Sequence, residues 1–240
     1  MGYDDDRALL VSLLSRVQGE KRPEETADLL LKQYGSLQGV AECIPAQSDS
    51  LPVPQNTRTL LAMLPGLCRM RELDRIGAQP FLGTLSAASR YAQALYIGAQ
   101  YEQICLICLD EKLRLRRHVL LSEGGVREVP FYPRKILQEA LGCGAKAVIL
   151  CHNHLSGWCF FSDADVESTR EFLGLCRLIH LPLLDHLLIA GSQVSSMRSK
   201  VYIPESDWRA CGPLMPTPGQ WRSPRADGQI EILPDGPQRV

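Results

Sequence analysis

AKAVILCHNHLSGWCFFSDAD, residues 145–165, is the stretch whose reading decides the fold. Its first half is an apolar run that ends in His152 and His154, the pattern of a buried strand leading into a polar loop. A loop leaving the carboxyl edge of a strand is where α/β sheets usually carry their chemistry. Side chains at i and i+2 of an extended chain share one side, so the two histidines can converge on one ion. The second half supplies a carboxylate. Ser162-Asp163-Ala164-Asp165 has the form of a capping box opening a helix over 163–178, which sets Asp165 in the first turn. Imidazole nitrogen and carboxylate oxygen both suit Zn2+, at roughly 2.0–2.2 Å. Two histidines and one carboxylate leave a fourth position for water, as in catalytic sites. The expected metal ligands are therefore His152, His154 and Asp165. Two roles stay open for Ser162: helix cap, or hydrogen-bond donor to a bound oxyanion.

The surroundings alternate strand and helix. QICLICLD (103–110) reads as an apolar strand, and LRLRRHVLL (113–121) as a half-exposed one, with Leu113 and Leu115 set against Arg114 and Arg116. PRKILQEALGCG (133–144) starts on proline and ends on glycines, the punctuation of a helix. LPLLDHLLIAG (181–191) is the next strand, and 193–203 the place for a last strand pair. Before about residue 98 the pattern is helical, over 7–17, 23–34, a short piece near 36–43, 57–73 and 85–98, with the polar loop AQSDSLPVPQN (46–56) between. After about 208 the chain is rich in Pro and Gly without periodicity and reads as a mobile tail. The expected organisation is a helical region over 1–98, an α/β zinc domain over 99–207 and the tail over 208–240.

H-x-H, seven residues, then S-x-x-D resembles the zinc motif of the JAMM (MPN-plus) metalloprotease superfamily. The block HNHLSG (152–157), with LD at 109–110, YPRKI at 132–136 and LLDHLLI at 183–189, resembles the RadC branch over roughly residues 78–207. That resemblance implies a mixed sheet flanked by helices, MPN/JAB-like and cytidine-deaminase-like, with a small helical region before it. It implies His152, His154 and Asp165 as zinc ligands and Ser162 as the oxyanion-stabilising residue. It also implies hydrolysis of a peptide or isopeptide bond, with a peptide or protein as substrate. The branch is traditionally called a DNA repair protein, so a DNA-associated binding protein with a structural or vestigial zinc site is the alternative. The superfamily takes its general base from a glutamate on an earlier strand. The local match sets that position near Val119 or Leu120, neither of which moves a proton; Glu123 lies just beyond and Glu128 further on. Glu123 is the expected base, a group typically worth about 10²–10⁴ in rate. Leu155 stands where the branch has proline. The branch also resembles a helix-hairpin-helix DNA binder in its first part, through a Gly-x-Gly turn, but AQSDSLPVPQN contains no glycine.

Asp185-His186 has two readings: a hydrogen-bonded pair in a core strand, or a pair of which one member orients a metal ligand. Trp158, Phe160 and Phe161 either pack the loop down or wall a substrate cleft. Cys159 is a soft donor that the other three ligands make unnecessary. Lys112, Arg114, Arg116, Arg117 and His118 form the densest basic run, a solvated face or a site for phosphates or an acidic partner.

Across 240 residues, 45% are hydrophobic and the net charge is −1, enough to build a core and against a strongly basic nucleic-acid binder. No run approaches the roughly 20 apolar residues of a membrane helix. The acidic start, MGYDDDRALLVSLL, lacks the basic end of a secretory signal, and nine cysteines suit a reducing compartment, so a cytoplasmic protein is expected. Cys105 and Cys108 fall within an apparent strand, whereas a redox C-x-x-C normally opens a helix.

Overall fold

The computed structural model describes residues 3–37, 39–40, 53–123, 133–212, 216 and 221. It divides into two compact units, one of Met1–Arg75 with Tyr96–Gln100 and one of Ile76–Leu95 with Tyr101–Val240. The boundary expected at 98 is thus interleaved, because the helix before it belongs with the sheet.

The first unit is helical. Helix α1 (Tyr3–Leu14) and α2 (Pro23–Tyr34) pack Leu10, Leu14, Ala27, Leu30 and Leu31 together, and α3 (Gln55–Ile76) adds Leu61. Proline opens α2, and Gly35, at φ 80°, closes it in the left-handed conformation. Most of the AQSDSLPVPQN loop lies outside the described residues.

The second unit starts with α4 (Leu85–Leu95) and is built on a five-stranded sheet. Its strands are β1 (Gln103–Leu109), β2 (Leu115–Glu123), β3 (Ala147–Asn153), β4 (Leu183–Ala190) and β5 (Gln193–Ser196), in spatial order β2-β1-β3-β4-β5. Helix α5 (Pro133–Gly142) joins β2 to β3, and α6 (Asp163–Leu178) makes the crossover between the parallel strands β3 and β4. The other pairings are antiparallel, so the sheet is mixed, as expected. The inner strands β3 and β4 are buried along their whole length, which explains why they are mostly apolar. One face packs Ile104, Leu106, Val148 and Leu150 against Val166, Phe172 and Leu173 of α6.

Two expectations are modified, and the strand reading of the C-x-x-C holds. The segment 193–203 gives one strand, whose pairing ends at Ser196, and then turns; Ser196 Oγ accepts from the Ser199 amide, and Val201 takes a positive φ of 58°. Cys105 and Cys108, three apart on β1, project to opposite faces, so the C-x-x-C is two separate core thiols. Within the region expected as a mobile tail, Trp208, Cys211 and Trp221 are buried: Trp208 Nε1 donates to the Ile203 carbonyl, and Trp221 Nε1 to Asp185 Oδ2. No helix among the described residues is long and apolar enough to cross a membrane.

Candidate metal centre

The site lies where β3 ends. His152 is the next-to-last residue of the strand, and His154 follows it; the His154 amide still donates to the Ile189 carbonyl of β4, so the extended conformation persists through both. The loop 155–161 then turns at Gly157, at φ 79°, and returns to the start of α6. There Ser162 and Asp165 form the expected capping box: the Asp165 amide donates to Ser162 Oγ at 3.2 Å, and the Ser162 amide to Asp165 Oδ2 at 2.8 Å. Strand end and helix start thus bring the two histidines and Asp165 together.

His152 Nε2 and His154 Nε2 are 3.1 Å apart. His152 Nε2 lies 3.5 Å from Asp165 Oδ1, and His154 Nε2 3.9 Å from Asp165 Oδ2. Ligands on one tetrahedral ion with bonds near 2.1 Å stand about 3.4 Å from one another, so these spacings suit a single ion. Among the described residues, no other group of three or more His, Cys, Asp or Glu side chains is clustered closely enough to hold one. Burial pushes the His152 imidazole down to about 4, only partly opposed by Asp165, and burial likewise holds His186 well below the ordinary histidine range. Both rings are neutral at neutral pH, the form that ligates a metal. The donor set therefore fits a divalent cation.

The histidines are held from behind. His152 Nδ1 is 2.8 Å from His186 Nε2 on β4, and His186 Nδ1 is 2.7 Å from Thr169 Oγ1 on α6. His154 Nδ1 is 3.1 Å from the Trp158 carbonyl, so the loop steadies the second ligand. Phe161 packs on both His152 and His186, at centroid distances of 5.8 and 5.3 Å. The aromatic loop residues thus divide: Phe161 packs inward, while Trp158 and Phe160 are 70% and 62% exposed. The Cys159 thiol is buried and donates to the Leu188 carbonyl, outside the metal-binding cluster. Ser162 Oγ donates to Asp165 Oδ2 at 2.7 Å, so its hydroxyl hydrogen is held by a metal-ligand candidate.

Strand order sets the expected positions of the base two strands from the histidines. Val119 and Leu120 pair with Leu106 and Cys105 of β1, and β1 in turn pairs with β3. Each strand step is about 4.8 Å, so β2 lies two steps, roughly 10 Å, from the histidine strand. Glu123 ends β2 opposite Gln103, its side chain lying outside the described residues with Glu128. Another carboxylate lies beside the histidine strand itself. Ile104 pairs with His152, and continuing that antiparallel register two residues along sets Glu102 opposite His154. Glu102 Oε1 accepts from the Leu155 amide at 3.4 Å. Asn153, between the histidines, clamps this segment: its Oδ1 accepts from the Gln103 amide at 2.8 Å and its Nδ2 donates to the Tyr101 carbonyl at 3.2 Å. Reading the sequence missed Glu102, since only the pairing of β1 with β3 brings it to the site.

A mixed α/β sheet with a His-x-His strand end and a helix-capping aspartate defines a domain of the JAB class, whose His-His-Asp group could hold a metal. Residues 82–202 match the RadC-like JAB domain, and the chain belongs to that family. It is similar to a UPF0758 protein of Bordetella petrii, 34% identical over 170 residues, covering 70% of this chain and 75% of the relative. A UPF0758 protein of Bordetella bronchiseptica is 30% identical over 200 residues, covering 83% of this chain and 88% of the relative.

Proposed function

We propose that this chain is a zinc-dependent hydrolase of a peptide or isopeptide bond, with Glu102 as the general base. The observation that carries the reading is the convergence of His152, His154 and Asp165 at the spacing of one ion, with Glu102 at the register position across from His154. Two nitrogens and one carboxylate oxygen with a position left open suit zinc. Zinc held there supplies Lewis acidity, which acidifies water to a pKa near 7 and polarises a carbonyl. Glu102 accepts the water's proton at a carboxylate oxygen and delivers it to the leaving nitrogen. Ser162 Oγ turns its hydrogen from Asp165 to the developing oxyanion. Exposed Trp158 and Phe160 flank the histidines and offer an apolar wall to a peptide substrate.

Metal analysis of the purified full chain, with a peptide and isopeptide library assayed alongside, tests the reading. The wild type should carry about one zinc, His154→Ala should carry none, and Glu102→Gln should keep zinc while losing about 10²–10⁴ in turnover. Glu123→Gln should keep both; the reverse outcome returns the base to Glu123. A wild type that takes up no zinc ends the metal reading. Zinc binding without cleavage of any peptide, together with salt-dependent retention of DNA, favours the DNA-associated alternative.

A further inference from the structure

We infer that Thr169 is a positioning residue that sets the tautomer of His152, acting through His186, so that the nitrogen at the metal position carries no hydrogen. This rests on the metal reading above. Thr169 is fully buried on α6, one turn beyond Asp165, and is joined directly to one ligand residue, Asp165, and through His186 to a second, His152. Its Oγ1 donates to the Asp165 backbone carbonyl at 2.6 Å, and the same oxygen lies 2.7 Å from His186 Nδ1.

A hydroxyl has one hydrogen. With that hydrogen on the Asp165 carbonyl, Thr169 Oγ1 can only accept from His186, so Nδ1 of His186 carries a proton. The neutral ring then has a bare Nε2. That nitrogen is 2.8 Å from His152 Nδ1, which must donate to it. His152 in turn is left with a lone pair on Nε2, the atom 3.1 Å from His154 Nε2 and 3.5 Å from Asp165 Oδ1. Reversing the chain of donors would put a hydrogen on His152 Nε2, where a ligand lone pair has to be. The Asp165 carbonyl breaks the symmetry by taking the threonine hydrogen. One hydroxyl therefore links the helix turn that carries Asp165 to the tautomer of His152.

Long-range ¹H–¹⁵N spectra of the metal-free full chain, and zinc affinity by chelator competition, test this. In the wild type His152 should show the Nδ1–H tautomer. Thr169→Val keeps the shape and removes the hydroxyl; it should shift His152 toward the Nε2–H tautomer and weaken zinc about 10–100-fold, while Thr169→Ser restores both. A residue that only fills space would move neither the tautomer nor the difference between Val and Ser. The Nε2–H tautomer in the wild type overturns the inference without any variant, as does unaltered zinc affinity in a folded Thr169→Val protein. In both cases a zinc-binding wild type leaves the metal reading standing; a wild type that binds no zinc removes both.

Discussion

Asp185 and His186 are chain neighbours on β4 with opposite surroundings, because successive strand residues face opposite sides of the sheet. His186 meets His152, whereas the Asp185 carboxylate is turned away from the metal position. It accepts from Ser196 Oγ, Trp221 Nε1 at 2.6 Å, and the backbone amides of His186 at 2.7 Å and Arg198 at 3.0 Å. Burial nonetheless pushes its carboxyl up to about 6, only partly offset by those donors. A carboxyl whose folded value lies above its unfolded value favours the folded state at low pH, and that contribution is lost as pH rises through about 6. Unfolding free energy of metal-free protein should therefore fall by up to roughly 3 kcal/mol from this group between about pH 4 and pH 6. Buried His152 and His186, both held low, oppose this slope over the same range, so the check is the difference in unfolding free energy between wild type and Asp185→Asn in urea titrations, which should fall as pH rises from about 4 to 6. Zinc affinity in Asp185→Asn should stay at the wild-type value, since this carboxylate meets His186 through its backbone amide and not through the imidazole that reaches His152.

At the scale of elements, the turn from the end of β3 to the start of α6 performs two tasks with one set of residues. The capping box satisfies orphan amides at the helix start and orients the Asp165 carboxylate. Ser162→Ala should destabilise the chain by about 1 kcal/mol in urea unfolding, the usual loss of an N-cap oxygen. It should also weaken zinc, because Asp165 Oδ2 loses the hydroxyl donor that fixes its rotamer. Ser162→Thr, which keeps the oxygen, should recover most of the stability. A helix that loses no stability on this change would show that tertiary packing of Val166, Phe172 and Leu173 alone sets where α6 begins.

At the scale of the molecule, the described residues beyond α7 (Glu205–Arg209) contribute to the sheet unit. Trp221 is 2% exposed, and the Arg198 guanidinium donates to the Pro216 carbonyl as well as to Glu205. Trp221→Ala should cost about 3–5 kcal/mol, typical of deleting a buried aromatic side chain. Trp221→Phe retains most of the apolar contact but leaves Asp185 one donor short, and should cost about 1–3 kcal/mol. Thermal melts of the two variants check both values. Loss of Trp221 without effect on melting would return this segment to the mobile tail that its Pro- and Gly-rich composition suggests.

What the sequence determined alone was local. Apolar runs mark β3 and β4, proline and glycine mark the ends of α2, and Ser162 with Asp165 marks the first turn of α6, because each pattern acts within a few residues. His152, His154 and Asp165 were legible for the same reason: a strand end and a helix cap lie within fourteen residues of chain. Glu102 and Thr169 were not legible as partners of that site, and the sequence left open which of Asp185 and His186 meets it. Glu102 reaches it through the antiparallel register of β1 with β3, His186 through the parallel pairing of β4, and Thr169 through the packing of α6 on the sheet face. Register and helix packing depend on contacts between segments distant in sequence, and only the tertiary structure decides them.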